Sequence, residues 1–93
     1  MSTITREQVS TDLEEILSLP YILILHNDDH NTFDHVIESL IKYCGHELEQ
    51  ATQCAHIVHF TGKCDVKRGD KEVVMKSYNK LKGVGLSVTI EEA

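Results

Sequence analysis

The apolar positions of this chain change period several times, and each change marks an element. Tyr21-Ile22-Leu23-Ile24-Leu25 is a compact apolar run ending in His26-Asn27-Asp28-Asp29, the pattern of a buried strand running into a polar loop. Phe33, Val36, Ile37, Leu40, Ile41 and Cys44 then recur at helical spacing and form one apolar stripe. Asn31 or Thr32 is placed to cap that helix, and Gly45 stands where helices commonly stop. A second helix is predicted over 47–59, with Leu48, Ala51, Ala55 and Val58 as its stripe and Gly62 as its end. Residues 64–68 alternate weakly, as a strand closed by Gly69. Asp70 can cap a third helix carrying Val73 or Val74, Tyr78 and Leu81, which Gly83 and Gly85 break. Residues 86–90 alternate strictly, as a strand with one buried face does.

Ahead of Pro20 the chain is polar at first, then carries Leu13, Ile16 and Leu17 at helical spacing. Thr11 with Glu14 three residues on has the form of a capping box, and Pro20 ends whatever helix forms. Residues 1–19 are therefore expected as a flexible extension and 20–93 as the core domain. The order is β-α-α-β-α-β. Three strands with apolar faces need a cover, and three amphipathic helices supply it. The expected class is α+β: a two-layer α/β sandwich with a three-stranded antiparallel sheet.

Length and composition narrow the function. At 93 residues there is room for one modest core. The apolar run at 21–25 is far short of the roughly 20 residues a membrane helix needs, and no secretory leader is legible. A net charge of −6 repels phosphate, only Arg6 and Arg68 can fork onto it, and aromatics make up 5% of the chain, so nucleic acid is not an expected partner. Cys44, Cys54 and Cys64 lack any C-x-x-C spacing and read as reduced thiols of a cytoplasmic protein. His26, His30, His35, His46 and His56 scatter along the elements without a ligand pattern, and no nucleophile sits beside a base. Neither metal, cofactor nor catalysis is expected. Nothing signals oligomerisation, so a monomer is.

Two features carry chemistry. Asn27-Asp28-Asp29 at the end of the first strand is either a plain turn, which these residue types favour, or a cluster of acceptors. His59 in Val58-His59-Phe60-Thr61-Gly62-Lys63 either complements a helix dipole or offers a neutral ring nitrogen. The apolar strand into Asn27-Asp28-Asp29-His30-Asn31-Thr32-Phe33-Asp34-His35-Val36-Ile37, the later Ala51-Thr52-Gln53, and the Val58 to Lys63 segment together resemble the ClpS adaptor family. The resemblance covers residues 20–93 and implies a fold like the C-terminal domain of the ribosomal stalk protein.

The resemblance also implies a task. Asn27, Asp28, Asp29 and His59 would accept hydrogen bonds from the free α-ammonium of an N-degron substrate. Each charge-assisted bond contributes about 1.5–3 kcal/mol. Leu25, Asn31, Phe33, Val36, Ala55, Val58 and Leu86 would line a pocket for a bulky first side chain, whose burial contributes about 1.5–3 kcal/mol more. The loaded adaptor would then dock on the N-terminal domain of a Clp-family AAA+ unfoldase, with the N-terminal extension engaging it during hand-over. Two departures bear on selectivity. Phe33 and Ala55 stand where the family often has Met, which alters the preference among Leu, Phe, Tyr and Trp. The stretch 64–72, near the family's unfoldase-binding region, is shorter than usual. The alternative is an interaction domain of the ribosomal-stalk type with another partner, although the Gly/Ala/Lys-rich hairpin of that class is missing here.

Overall fold

A computed structural model describes residues 20–93; the extension predicted over 1–19, with its capped helix, lies outside the described residues. The elements run β1 (Tyr21–His26), α1 (Phe33–Cys44), α2 (Leu48–Thr61), β2 (Lys63–Gly69), α3 (Lys71–Gly83) and β3 (Val88–Glu92), the predicted β-α-α-β-α-β order. The fold is the expected α+β sandwich. Its antiparallel sheet has the order β2-β1-β3. β1 is central, which is why Leu23, Ile24 and Leu25 are all buried rather than alternating. Tyr21 lies opposite Gly69 and Glu92, and Leu25 opposite Cys64 and Val88, with a bulge after Leu23 in the β1–β2 ladder.

Local chemistry sets the helix ends. Thr32 Oγ1 accepts from His35 N at 3.1 Å and starts α1, while Gly45, at φ 73°, stops it. Asp70 Oδ1 accepts from Val73 N at 3.0 Å and starts α3. Leu23, Leu25, Leu40, Val74 and Leu81 are the largest fully buried side chains. Each contributes roughly 1.5–3 kcal/mol by leaving water. Polar ties cross this core: His46 Nε2 donates to Val66 O at 2.7 Å, and Ser77 Oγ donates to Tyr43 O at 3.0 Å.

Several boundaries and faces differ from the sequence expectations. α2 runs two residues past His59, to Thr61, and β2 is longer by one residue at each end. β3 is Val88–Glu92 rather than 86–90. Leu86 stays buried, but it and Ser87 form the lead-in to the strand. Leu48 does not belong to the buried stripe of α2; it is 66% exposed, and Cys54 takes the fourth buried place beside Ala51, Ala55 and Val58. Leu48 is the first residue of α2, and helical side chains lean toward the helix N-terminus, so it projects past the end of the packed surface. In α1, Phe33 and Ile41 flank the contact face and stay 41% and 39% exposed. On α3 the buried valine is Val74, not Val73. No helix among the described residues is long and apolar enough to cross a membrane.

Candidate functional site

The site forms where β1 hands over to α1, against the C-terminal half of α2. His26 N donates to Ser87 O and Asn27 N donates to Gly62 O, both at 2.8 Å. The first bond ties the strand end to the lead-in of β3. The second ties it to the turn that closes α2, so the loop after Asn27 starts beside the last turn of that helix. Gly62 sits at φ 100°, a backbone region that favours glycine.

Asp28 organises the loop. Its Oδ1 accepts from His30 N and Asn31 N, both at 2.9 Å. Its Oδ2 accepts from Asn31 Nδ2 and Ser87 Oγ, both at 2.8 Å. A carboxylate has about four lone-pair positions, and these four donors occupy them. Partial burial pushes the carboxyl upward, but the bonds from Ser87, His30 and Asn31 outweigh that and hold it at about 2, so it is a carboxylate at any ordinary pH. Asn31 Nδ2 also donates to Gly85 O at 2.9 Å, and His35 Nε2 to Val84 O at 2.8 Å, which anchors the start of α1 to the turn after α3.

Beside this loop opens a cavity of about 340 Å³. Phe33, Val36, Ala55 and Val58 form apolar walls; Asn27, Asp28, Asp29, Asn31, Thr32 and His59 form the polar part. The four predicted ammonium acceptors and five of the seven predicted pocket residues thus meet at one opening. Leu25 and Leu86 do not line it. They are buried, 1% and 3% exposed, and line an adjoining crevice of about 20 Å³ that shares Asn27, Asp28, Asn31, Val36 and Val58 with the cavity. Two participants are additional. Thr32 lines the cavity as well as capping α1, and Ser87 holds Asp28 from across the sheet. Thr32 was legible only as a cap, and Ser87 only as the polar position of an alternating strand.

The polar residues fall into two groups. Asp28 is consumed by the loop, whereas the side chains of Asn27, Asp29 and His59 make no hydrogen bond among the described residues and are exposed. The His59 ring is held between aromatic neighbours, with Phe33 at 5.3 Å and Phe60 edge-on at 5.0 Å between ring centroids. The opening therefore combines a fixed ring nitrogen, a free carboxylate and a free amide at the mouth of an apolar hole. Among the described residues no three His, Cys, Asp or Glu side chains stand together as a metal site.

The comparisons with known proteins agree with this geometry. The family profile for the ATP-dependent Clp protease adaptor protein ClpS matches residues 17–89. The ClpS adapter of Cronobacter sakazakii is 34% identical over 90 residues, covering 88% of this chain and 85% of that protein. The Nostoc sp. ClpS adapter is 36% identical over 74 residues, covering 78% and 76%. In fold, the chain superposes on Agrobacterium tumefaciens ClpS2 bound to L-phenylalaninamide with a TM-score of 0.71 at 20% identity, covering 80% of this chain and 96% of the other. Fold and family match together define an adaptor, a protein that serves a protease and is not itself the catalyst. The chain belongs to the ClpS family of ATP-dependent Clp protease adaptor proteins.

Proposed function

We propose that the chain binds the free α-amino group and bulky hydrophobic first side chain of N-degron substrates and delivers them to the N-terminal domain of a Clp-family AAA+ unfoldase. The observation that carries this reading is the division of labour at the cavity. Asp28 fixes the loop, which leaves Asn27, Asp29 and His59 free at the rim of an apolar hole of about 340 Å³. An α-ammonium has three donors and a positive charge, and three acceptors from different directions match it. An internal peptide nitrogen has one donor and no charge, so it cannot satisfy that rim. Phe33, Val36, Ala55 and Val58 offer the side chain an apolar wall. The ligand in the Agrobacterium structure, L-phenylalaninamide, has this composition: a free amino group beside a bulky apolar side chain. Ammonium and side chain together support affinity near −8 kcal/mol, or about micromolar.

The test is direct. Short peptides differing only in residue 1 (Leu, Phe, Tyr, Trp, Ile, Ala) are titrated with and without N-terminal acetylation. Free Leu-, Phe-, Tyr- or Trp-first peptides bind and their acetylated forms do not. Equal affinity of the two forms would sink the ammonium reading. Asp29→Ala and His59→Ala each weaken binding by about tenfold or more, the loss of one charge-assisted bond, with little change in melting temperature.

A further inference from the structure

Four aromatic rings form a closed circuit beside the cavity. Between ring centroids, Phe33 and His56 stand 5.1 Å apart, His56 and Phe60 6.2 Å, Phe60 and His59 5.0 Å, and His59 and Phe33 5.3 Å. Each spacing falls within the roughly 4.5–7 Å of a favourable aromatic pair. Two elements supply all four. Phe33 is the first residue of α1, and His56, His59 and Phe60 stand at i, i+3 and i+4 on one face of α2. Ala55 and Val58, each one position earlier than a histidine of the circuit, are buried and form cavity wall instead.

The edge of the cavity divides the circuit. Phe33 and His59 line the opening, whereas His56 and Phe60 do not. All four residues are exposed, Phe33 at 41% and Phe60 at 76%. A phenylalanine this open contributes little to the core, because hydrophobic stabilisation scales with the area removed from water. Its edge-on contact with His59 steadies that ring and leaves most of the Phe60 surface free. The planes of His56 and Phe60 differ by 5°, so the outer pair presents parallel flat faces next to the opening. A flat apolar group is what such faces accept.

With an N-degron substrate in the cavity, the α-ammonium meets His59 and the first side chain lies against Phe33. The second residue begins one Cα step further on, about 3.8 Å away. His56 is 5.1 Å from Phe33 and Phe60 is 5.0 Å from His59, so the outer pair is also one step away. The opposite rim, with Asn27, Asp28, Asp29, Asn31 and Thr32, offers only polar side chains. We propose that His56 and Phe60 form a subsite for the second side chain of a bound N-terminus and favour an aromatic one, Phe, Tyr or Trp, at that position. The subsite rests on the N-degron function proposed above and adds a second layer of selection to it: the cavity reads residue 1, and the outer rings read residue 2.

Two free-N-terminus peptides, Leu-Trp and Leu-Ala at positions 1 and 2 and identical beyond, test this by titration against the parent, Phe60→Ala and Phe60→Tyr. The parent is expected to bind the Leu-Trp peptide about threefold to tenfold more tightly, the range of one aromatic pair. That ratio falls to near one in Phe60→Ala and is kept in Phe60→Tyr. Because the ratio is taken within each protein, any general loss from a less supported His59 ring cancels. A parent ratio near one, or a preference that survives in Phe60→Ala, overturns the subsite and leaves the N-degron function standing, since the Leu-Ala peptide still binds. Equal binding of free and acetylated Leu-Ala peptides instead overturns the N-degron function, and the subsite with it.

Discussion

Ser87 and Asp28 lie 59 positions apart in sequence and meet at 2.8 Å, the serine hydroxyl donating to the carboxylate. That bond fastens the lead-in of β3 to the loop that follows β1, and the other three donors to Asp28 come from the loop itself. Asp28→Ala removes the acceptor of all four at once. A hydrogen bond to a charged group contributes about 1.5–3 kcal/mol, and the lower end applies to a partly exposed loop. The variant is expected to melt several degrees lower and to bind Leu- or Phe-first peptides at least about tenfold more weakly, because the loop that carries Asn27 and Asp29 loses its anchor. Ser87→Ala loses one bond of the four and shows a smaller drop in both. Thermal melts and peptide titrations of the two variants check this; an Asp28→Ala protein that melts with the parent would mean that the network does not stabilise the loop.

Acid should open this loop late. The Asp28 carboxyl sits at about 2, below the ordinary value of 3.8, because four donors favour its charged form despite partial burial. A depressed carboxyl adds stability that is fully present above its unfolded value and is lost as pH falls through the folded one. The amide signals of His30 and Asn31, and the side-chain NH₂ of Asn31, are expected to hold to about pH 3 and then move with a midpoint near 2. NMR titration reads this directly, and a midpoint near 4 would show that the bonds do not persist in solution.

Ala55 is the smallest side chain among the apolar walls of the cavity. It is buried on α2 and lines the same cavity as Phe33, whose ring packs on His56 at 5.1 Å and on His59 at 5.3 Å. Phe33 is a large wall that is held in place, so the small Ala55 is what keeps room for a ligand. Ala55→Met fills part of that room. Affinity for Trp- and Phe-first peptides is expected to fall by about tenfold, equivalent to about 1.4 kcal/mol, while Leu-first peptides lose less. Equal losses for all three would place the wall elsewhere.

What the sequence made legible follows physical range. Thr32, Gly45 and Asp70 act within one helical turn of themselves, and all three were readable as caps and stops. The polar residues after β1 were readable as a group because they are contiguous. Their division of labour was not: Asp28 looks like Asp29 in sequence, and only the approach of Ser87 and the turn of the loop consume one carboxylate and spare the other. Leu48 fits the spacing of α2 yet faces solvent, because spacing says which residues share a face and not how far the neighbouring elements extend. Leu25 and Leu86 carry the right chemistry for a pocket wall and line the small crevice that shares Asn27, Asp28, Asn31, Val36 and Val58 with the main cavity.

The thiols give a last expectation, on the alkaline side. Cys64 Sγ donates to Cys54 Sγ at 3.4 Å between β2 and α2, and Cys44 is buried in α1. Burial pushes the Cys44 thiol up to about 11, against the opposing charge of Lys67. Burial, the contact with Cys54 and the nearby negative charge of Asp65 push Cys64 up to about 12. Only the thiolate is the nucleophile, so both should resist iodoacetamide in the folded protein at pH 8 and react at least about tenfold faster once urea unfolds it. The same shift has a stability sign. The unfolded thiols ionise near 9.0 and the folded ones do not, so their contribution is complete below that value and is lost as pH rises toward 11–12. Melting temperature is therefore expected to decline between pH 8 and 10.5, and less steeply in Cys64→Ala than in the parent. Rapid labelling of native Cys64 at pH 8 would contradict both halves of this expectation, because a thiol that reacts there is neither shielded from water nor held protonated by its contact with Cys54.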